Sequence, residues 1–87
     1  MIGMVAMEKK DIFYIMMSYI LEIKENLLPQ DISPNMDFAD IDVDEKDKQQ
    51  IIDGAKEIFD VIFLKIEENS INTIKDLIDL IYKYQGD

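Results

Sequence analysis

The chain contains no cysteine, no histidine, no tryptophan and no arginine. Without cysteine and histidine, zinc, haem and thiol chemistries lose their usual ligands and nucleophiles, and the usual general base is missing too. No disulfide framework can form, which fits a reducing interior. What remains is oxygen chemistry, and its usual signs are missing as well. There is no phosphate-binding glycine loop, no nucleophile–base pair and no oxyanion site. Paired carboxylates do acid–base work only in a shielded pocket that splits their pKa values. Here the acids crowd a loop, so no enzyme is expected. Long apolar runs are also lacking. Residues 1–7 do not have the basic region and apolar stretch of a signal peptide. The most apolar window, residues 12–28, is interrupted by Ser18, Glu22, Lys24 and Glu25 and is no membrane span. A soluble, cytoplasmic protein is expected.

Eighty-seven residues make one domain, too small for a deep cleft between lobes. An apolar share of 48% is that of a globular chain and argues against wholesale disorder. Charge is the strongest signal: nineteen acids face nine bases, all lysine, for a net of −10. The excess is local. Residues 31–50 carry Asp31, Asp37, Asp40, Asp42, Asp44, Glu45 and Asp47 against Lys46 and Lys48, a net of −5. Such a field repels nucleic acid and anionic lipid and attracts basic or mixed-charge protein surfaces; it equally serves solubility. Asp40, Asp42 and Asp44 alternate, but no twelve-residue calcium loop with its glycine and terminal glutamate is present, so no metal site is expected.

Apolar residues set the elements. Ile12, Met16, Ile20, Ile23 and Leu27 recur at helical steps, so the spacing predicts a first helix over residues 8–26. Phe13, Met17 and Leu21 widen its stripe to face two neighbours, or a partner's groove. Pro29 should stop this helix, because the residue before proline leaves the helical region. Residues 29–43 show no period and are expected to form a long structured loop pinned by Ile32, Met36, Phe38 and Ile41. A second helix should begin near Asp44, capped by Asp42 or Asp44, with Asp44, Glu45 and Asp47 favoured by the helix dipole. Its buried stripe would be Ile51, Ile52, Ala55, Phe59 and Ile62, ending at Ile62. Gly54 inside it is tolerable if another helix approaches closely. One short turn of helix is expected near residues 65–68. The last helix starts at a capping box, Thr73 with Asp76, and continues through Ile74, Leu77, Ile78 and Ile81 to Gly86. The sum is an all-α bundle of three main helices plus one short helix, over residues 8–87, with residues 1–7 as an N-terminal extension.

This order resembles the acyl and peptidyl carrier family. Phe59-Asp60-Val61-Ile62-Phe63 and, eight residues on, Ile71-Asn72-Thr73-Ile74-Lys75-Asp76-Leu77-Ile78-Asp79-Leu80-Ile81 are similar to the family's end, an aromatic followed by "I-T-T-V-x-D-x-I-D-x-I". Asp37-Phe38-Ala39-Asp40-Ile41 resembles its "D-F-F-D-L" lead-in. The likeness covers residues 10–84. It implies the signature "L-G-x-D-S-L", whose serine at the start of the second helix bears phosphopantetheine. In register stands Ile41-Asp42-Val43-Asp44-Glu45-Lys46. Asp44 keeps the aspartate, Asp42 replaces glycine, Glu45 replaces serine and Lys46 replaces leucine. A carboxylate is no acceptor for that transfer, so no cofactor is expected.

The family's docking face, carried over by position, comprises Asp44, Glu45, Lys46, Asp47, Gln49, Gln50, Asp53, Lys56 and Glu57. Lys46 and Lys56 stand where the family has apolar or acidic residues, which implies a partner diverged from the usual carrier-modifying and elongating enzymes. The same positions equally describe a solvated helix face with an attractive Asp44–Lys48 and a repulsive Asp53–Glu57 pair. The resemblance implies a non-catalytic protein that binds an enzyme or synthase of fatty-acid, polyketide or nonribosomal-peptide biosynthesis. Two alternatives stand beside it: a working carrier modified on Ser18, Ser33 or Ser70, and an unrelated acidic helical inhibitor or regulator of a basic partner.

Overall fold

The computed structural model describes residues 7–85, and the apolar periodicity becomes four helices: α1 Lys9–Ile23, α2 Glu45–Phe59, α3 Lys65–Asn69 and α4 Ile74–Gln85. Among the described residues there is no β-strand, only an isolated antiparallel bridge between Asp37 and Thr73. The three long helices pack on one another pairwise. Ile12, Met16 and Ile20 of α1 meet Ile51, Ile52 and Ala55 of α2 and Ile74, Leu77, Ile78 and Ile81 of α4 in one core. Burying each larger aliphatic side chain contributes about 1.5–3 kcal/mol. Phe13, Met17 and Leu21 pack half-buried against the same core, so the wide face of α1 is used within the bundle.

Two boundaries differ from the sequence expectation. Helix α1 ends at Ile23, three residues early, and the Leu27 amide instead closes a turn on the Lys24 carbonyl at 3.1 Å. Its last turn holds no base, and Glu22 in that turn and Glu25 just beyond it oppose the negative end of the helix dipole. The loop that follows contains two 3-10 turns, Pro29–Asp31 and Phe38–Ile41, with Pro29 opening the first. Helix α2 ends at Phe59, not Ile62, because Asp60 adopts the left-handed conformation at φ 54°. The chain then runs extended, Phe63 turning inward and Ile62 outward, so Ile62 is 83% exposed instead of buried.

The long loop is pinned as expected by Ile32, Phe38 and Ile41, all buried, and by Met36 against the core. Backbone bonds fasten it to the start of α4: Phe38 N–H to Asn72 carbonyl at 3.1 Å, Ile74 N–H to Met36 carbonyl at 3.2 Å and Lys75 N–H to Pro34 carbonyl at 2.7 Å. The capping box at α4 is reciprocal, Asp76 N–H to Thr73 Oγ1 and Thr73 N–H to Asp76 Oδ2, both 3.0 Å. Residues 1–6 of the expected extension and Gly86 lie outside the described residues. Met7 packs against the core, and its carbonyl accepts from Gln85 Nε2 at 2.6 Å.

Candidate functional site

The start of α2 is built by its acids. Asp44 is the N-cap, its Oδ1 accepting from the Asp47 amide at 2.8 Å. Asp42 does not cap α2. It closes the preceding 3-10 turn in the left-handed region at φ 59°. Glu45 is the first residue of the helix and exposed. Other acids of the 31–50 cluster act locally too: Asp31 Oδ2 accepts from the Leu28 amide at 3.0 Å and Asp40 Oδ2 from the Asp37 amide at 3.2 Å. Part of the acidic excess therefore caps turns. Among the described residues no three acids converge to hold a metal ion.

The nine positions that the resemblance assigns to docking divide into three environments. Lys46, Gln49, Gln50, Asp53 and Glu57 line one shallow groove of about 390 Å³, closed on its far side by Tyr19 of α1. Glu45 and Asp44 stand above, at the helix start. Asp47 and Lys56 are turned into the fold. Asp47 meets Lys24 at 3.4 Å, and Lys56 reaches Glu68 of α3 at 3.0 Å and Asp53 at 3.3 Å. The Glu68 hydrogen bond outweighs the cost of burial and, with help from Asp53, holds the Lys56 ammonium above its ordinary pKa. Burial pushes the Glu68 carboxyl up, yet hydrogen bonds from Lys56 and Gln49 outweigh it and the net shift is downward. These two positions hold α2 to its neighbours.

Two contributors escaped the sequence reading. Tyr19 lies so close to Gly54 that a Cβ there would enter its ring. The glycine signalled close approach by some residue, but no spacing in α1 singles out Tyr19. The second is a set of exposed aliphatic side chains at the end of α2 and beyond. Ile58, Ile62, Leu64 and Ile66 are all exposed, the last three by more than half. Their apolar character alone reads as core.

The serines sit away from the start of α2. Ser18 Oγ donates to the Tyr14 carbonyl at 3.0 Å within α1, and Ser70 Oγ to the Ile66 carbonyl at 2.9 Å at the end of α3. Ser33 is half-buried, its carbonyl accepting from the Met36 amide at 3.1 Å. Among the described residues no helix is long and apolar enough to cross a membrane. No protein-family model, curated protein or solved structure matches the chain.

Proposed function

We propose that the chain is a carrier-like protein without a prosthetic arm, acting by protein–protein contact and not by catalysis. One observation carries this reading. Glu45, an exposed carboxylate, is the first residue of α2, where the carrier resemblance expects the modified serine. The register finds support in the backbone, since Asp42 stands at the signature's glycine in the left-handed conformation that glycine favours. The partner is a biosynthetic enzyme of fatty-acid, polyketide or nonribosomal-peptide assembly with a basic or mixed-charge surface. It would meet the groove face of α2, with the exposed aliphatic set at residues 58–66 offering the apolar anchors that binding energy concentrates on.

Intact mass measurement tests this, after incubation with coenzyme A and a broad-specificity phosphopantetheinyl transferase beside a true carrier. The chain is expected to gain no mass. The variant combining Asp42→Gly, Glu45→Ser and Lys46→Leu is expected to gain one phosphopantetheine on residue 45. An arm on a native serine would make the chain a working carrier. A folded triple variant that stays unmodified would remove the carrier resemblance.

A further inference from the structure

Away from α2, the first turns of α1 and α4 enclose a half-open groove of about 290 Å³ against Pro34 of the long loop. We propose that this groove binds a small aromatic carboxylate. Three of the nine lysines, Lys9, Lys10 and Lys75, line it, and Asp79 is its one acid. A site of net +2 thus stands on a chain of net −10.

The cations are held in place. Asp79 takes Lys75 Nζ at 2.6 Å on one oxygen and Lys9 Nζ at 3.0 Å on the other. Burial pushes the Asp79 carboxyl up, but the two ammonium groups bring it below its ordinary value, so it stays charged and keeps both. Neither lysine is used up, because an ammonium carries three donors and these side chains are 53% and 58% exposed. Lys10 is exposed beside them.

The apolar wall is aromatic. Phe13 and Tyr14 sit with ring centroids 5.8 Å apart and tilted by 54°, and Tyr14 is 58% exposed. Ile78 and Pro34 complete the apolar lining, and Asn35 adds a polar side chain. A flat ring offers this wall area at little conformational cost, and a carboxylate on it answers the lysines. A neutral aromatic leaves the cations unmatched. A polyanionic macromolecule gains the same contacts but meets the repulsion of the seven acids at residues 31–50. The volume lies near the lower end of small-molecule sites, roughly 300–1,000 Å³. A single charge on one or two fused rings satisfies all of these conditions.

The test is a titration of the ¹⁵N-labelled full chain with 2-naphthoate, followed by amide shifts. Saturable shifts are expected at residues 9–14, 34–35 and 75–79, with uncharged 2-naphthamide failing to saturate over the same range. Lys10→Glu and Tyr14→Ser change exposed side chains and should leave the spectrum dispersed, while each weakens 2-naphthoate roughly three- to tenfold. Four results would overturn the proposal: no saturable shifts, equal binding of the amide, shifts centred on residues 58–66, or affinity indifferent to Lys10→Glu.

Discussion

Lys56 Nζ lies 3.0 Å from Oε2 of Glu68, a carboxylate only 8% exposed, and this contact fastens the single-turn α3 to α2. Gln49 Nε2 approaches the other Glu68 oxygen at 3.3 Å. A five-residue helix has too few internal bonds to persist alone, so its position depends on such ties and on its own cap, Leu64 N–H to Glu67 Oε1 at 2.9 Å.

Removing one partner should therefore cost more than removing both. Lys56→Met leaves a buried carboxylate with Gln49 as its remaining side-chain partner, and is expected to lower stability by about 1–2 kcal/mol. Lys56→Met combined with Glu68→Met should recover most of that, since an apolar pair replaces the ion pair without an orphaned charge. Urea unfolding of the four proteins in the cycle measures the coupling. Strictly additive losses would mean that the contact does not exist in solution.

The same carboxylate gives a pH signature. Glu68 is held below its ordinary value of 4.5, so its contribution is fully present above that pH and is lost as pH falls through the lower folded-state value. Asp76 behaves alike. Burial raises its carboxyl, but the Asn72 and Thr73 amides and the Thr73 hydroxyl bring it below 3.8. Acidification also relieves the repulsion of a −10 chain, which obscures the trend in the wild type. Comparison with Glu68→Gln isolates the group, because that relief is common to both. The variant should be less stable at pH 7, and the gap should narrow as pH falls below 4.5 through the lower folded-state value. A gap that stays constant throughout would assign the loss at pH 7 to packing, not charge.

The legible parts of the fold were those in which local chemistry and tertiary packing agree. Thr73 and Asp76 announced the start of α4, and the four apolar positions that follow face the core. Asp42 and Asp44 both offered a cap for α2, and Asp44 is the one that makes it. The end of α2 was illegible because Phe59 to Ile62 continues the helical step. Only the left-handed turn at Asp60 breaks it, and aspartate enters that region too seldom to be read as a stop. Glu68 looked like one more surface acid, since its partner lies twelve residues back on another helix. The lysine groove joins positions more than sixty residues apart, a juxtaposition that no local pattern carries. The nine positions proposed for docking came from the carrier resemblance by register, and no local pattern singled them out. The inward turn of Asp47 and Lys56 followed from where α1 and α3 lie.

Ile62 distinguishes the two descriptions of that boundary. As the last member of a buried helical stripe, its replacement by serine would cost roughly 2 kcal/mol or more. At 83% exposure, Ile62→Ser should change stability by no more than about 0.5 kcal/mol. Thermal unfolding reads the difference directly, and a large loss would return Ile62 to the core and extend α2 past Asp60.

Gly54 of α2 lies against the ring of Tyr19 of α1, and the cost of a methyl group there has two opposed parts. In a helix interior alanine is favoured over glycine by about 1 kcal/mol. The new Cβ would enter the Tyr19 ring at its outer edge, and the ring must swing toward the groove to make room. That movement forfeits packing on a half-buried aromatic, comparable in size to the propensity gain. Gly54→Ala in the wild type is therefore expected to bring no stabilisation, while in a Tyr19→Ala background the same change should stabilise by about 1 kcal/mol. A gain of that size in both backgrounds would show that the ring does not lie against Gly54. The groove face of α2 would then lack the wall that Tyr19 supplies.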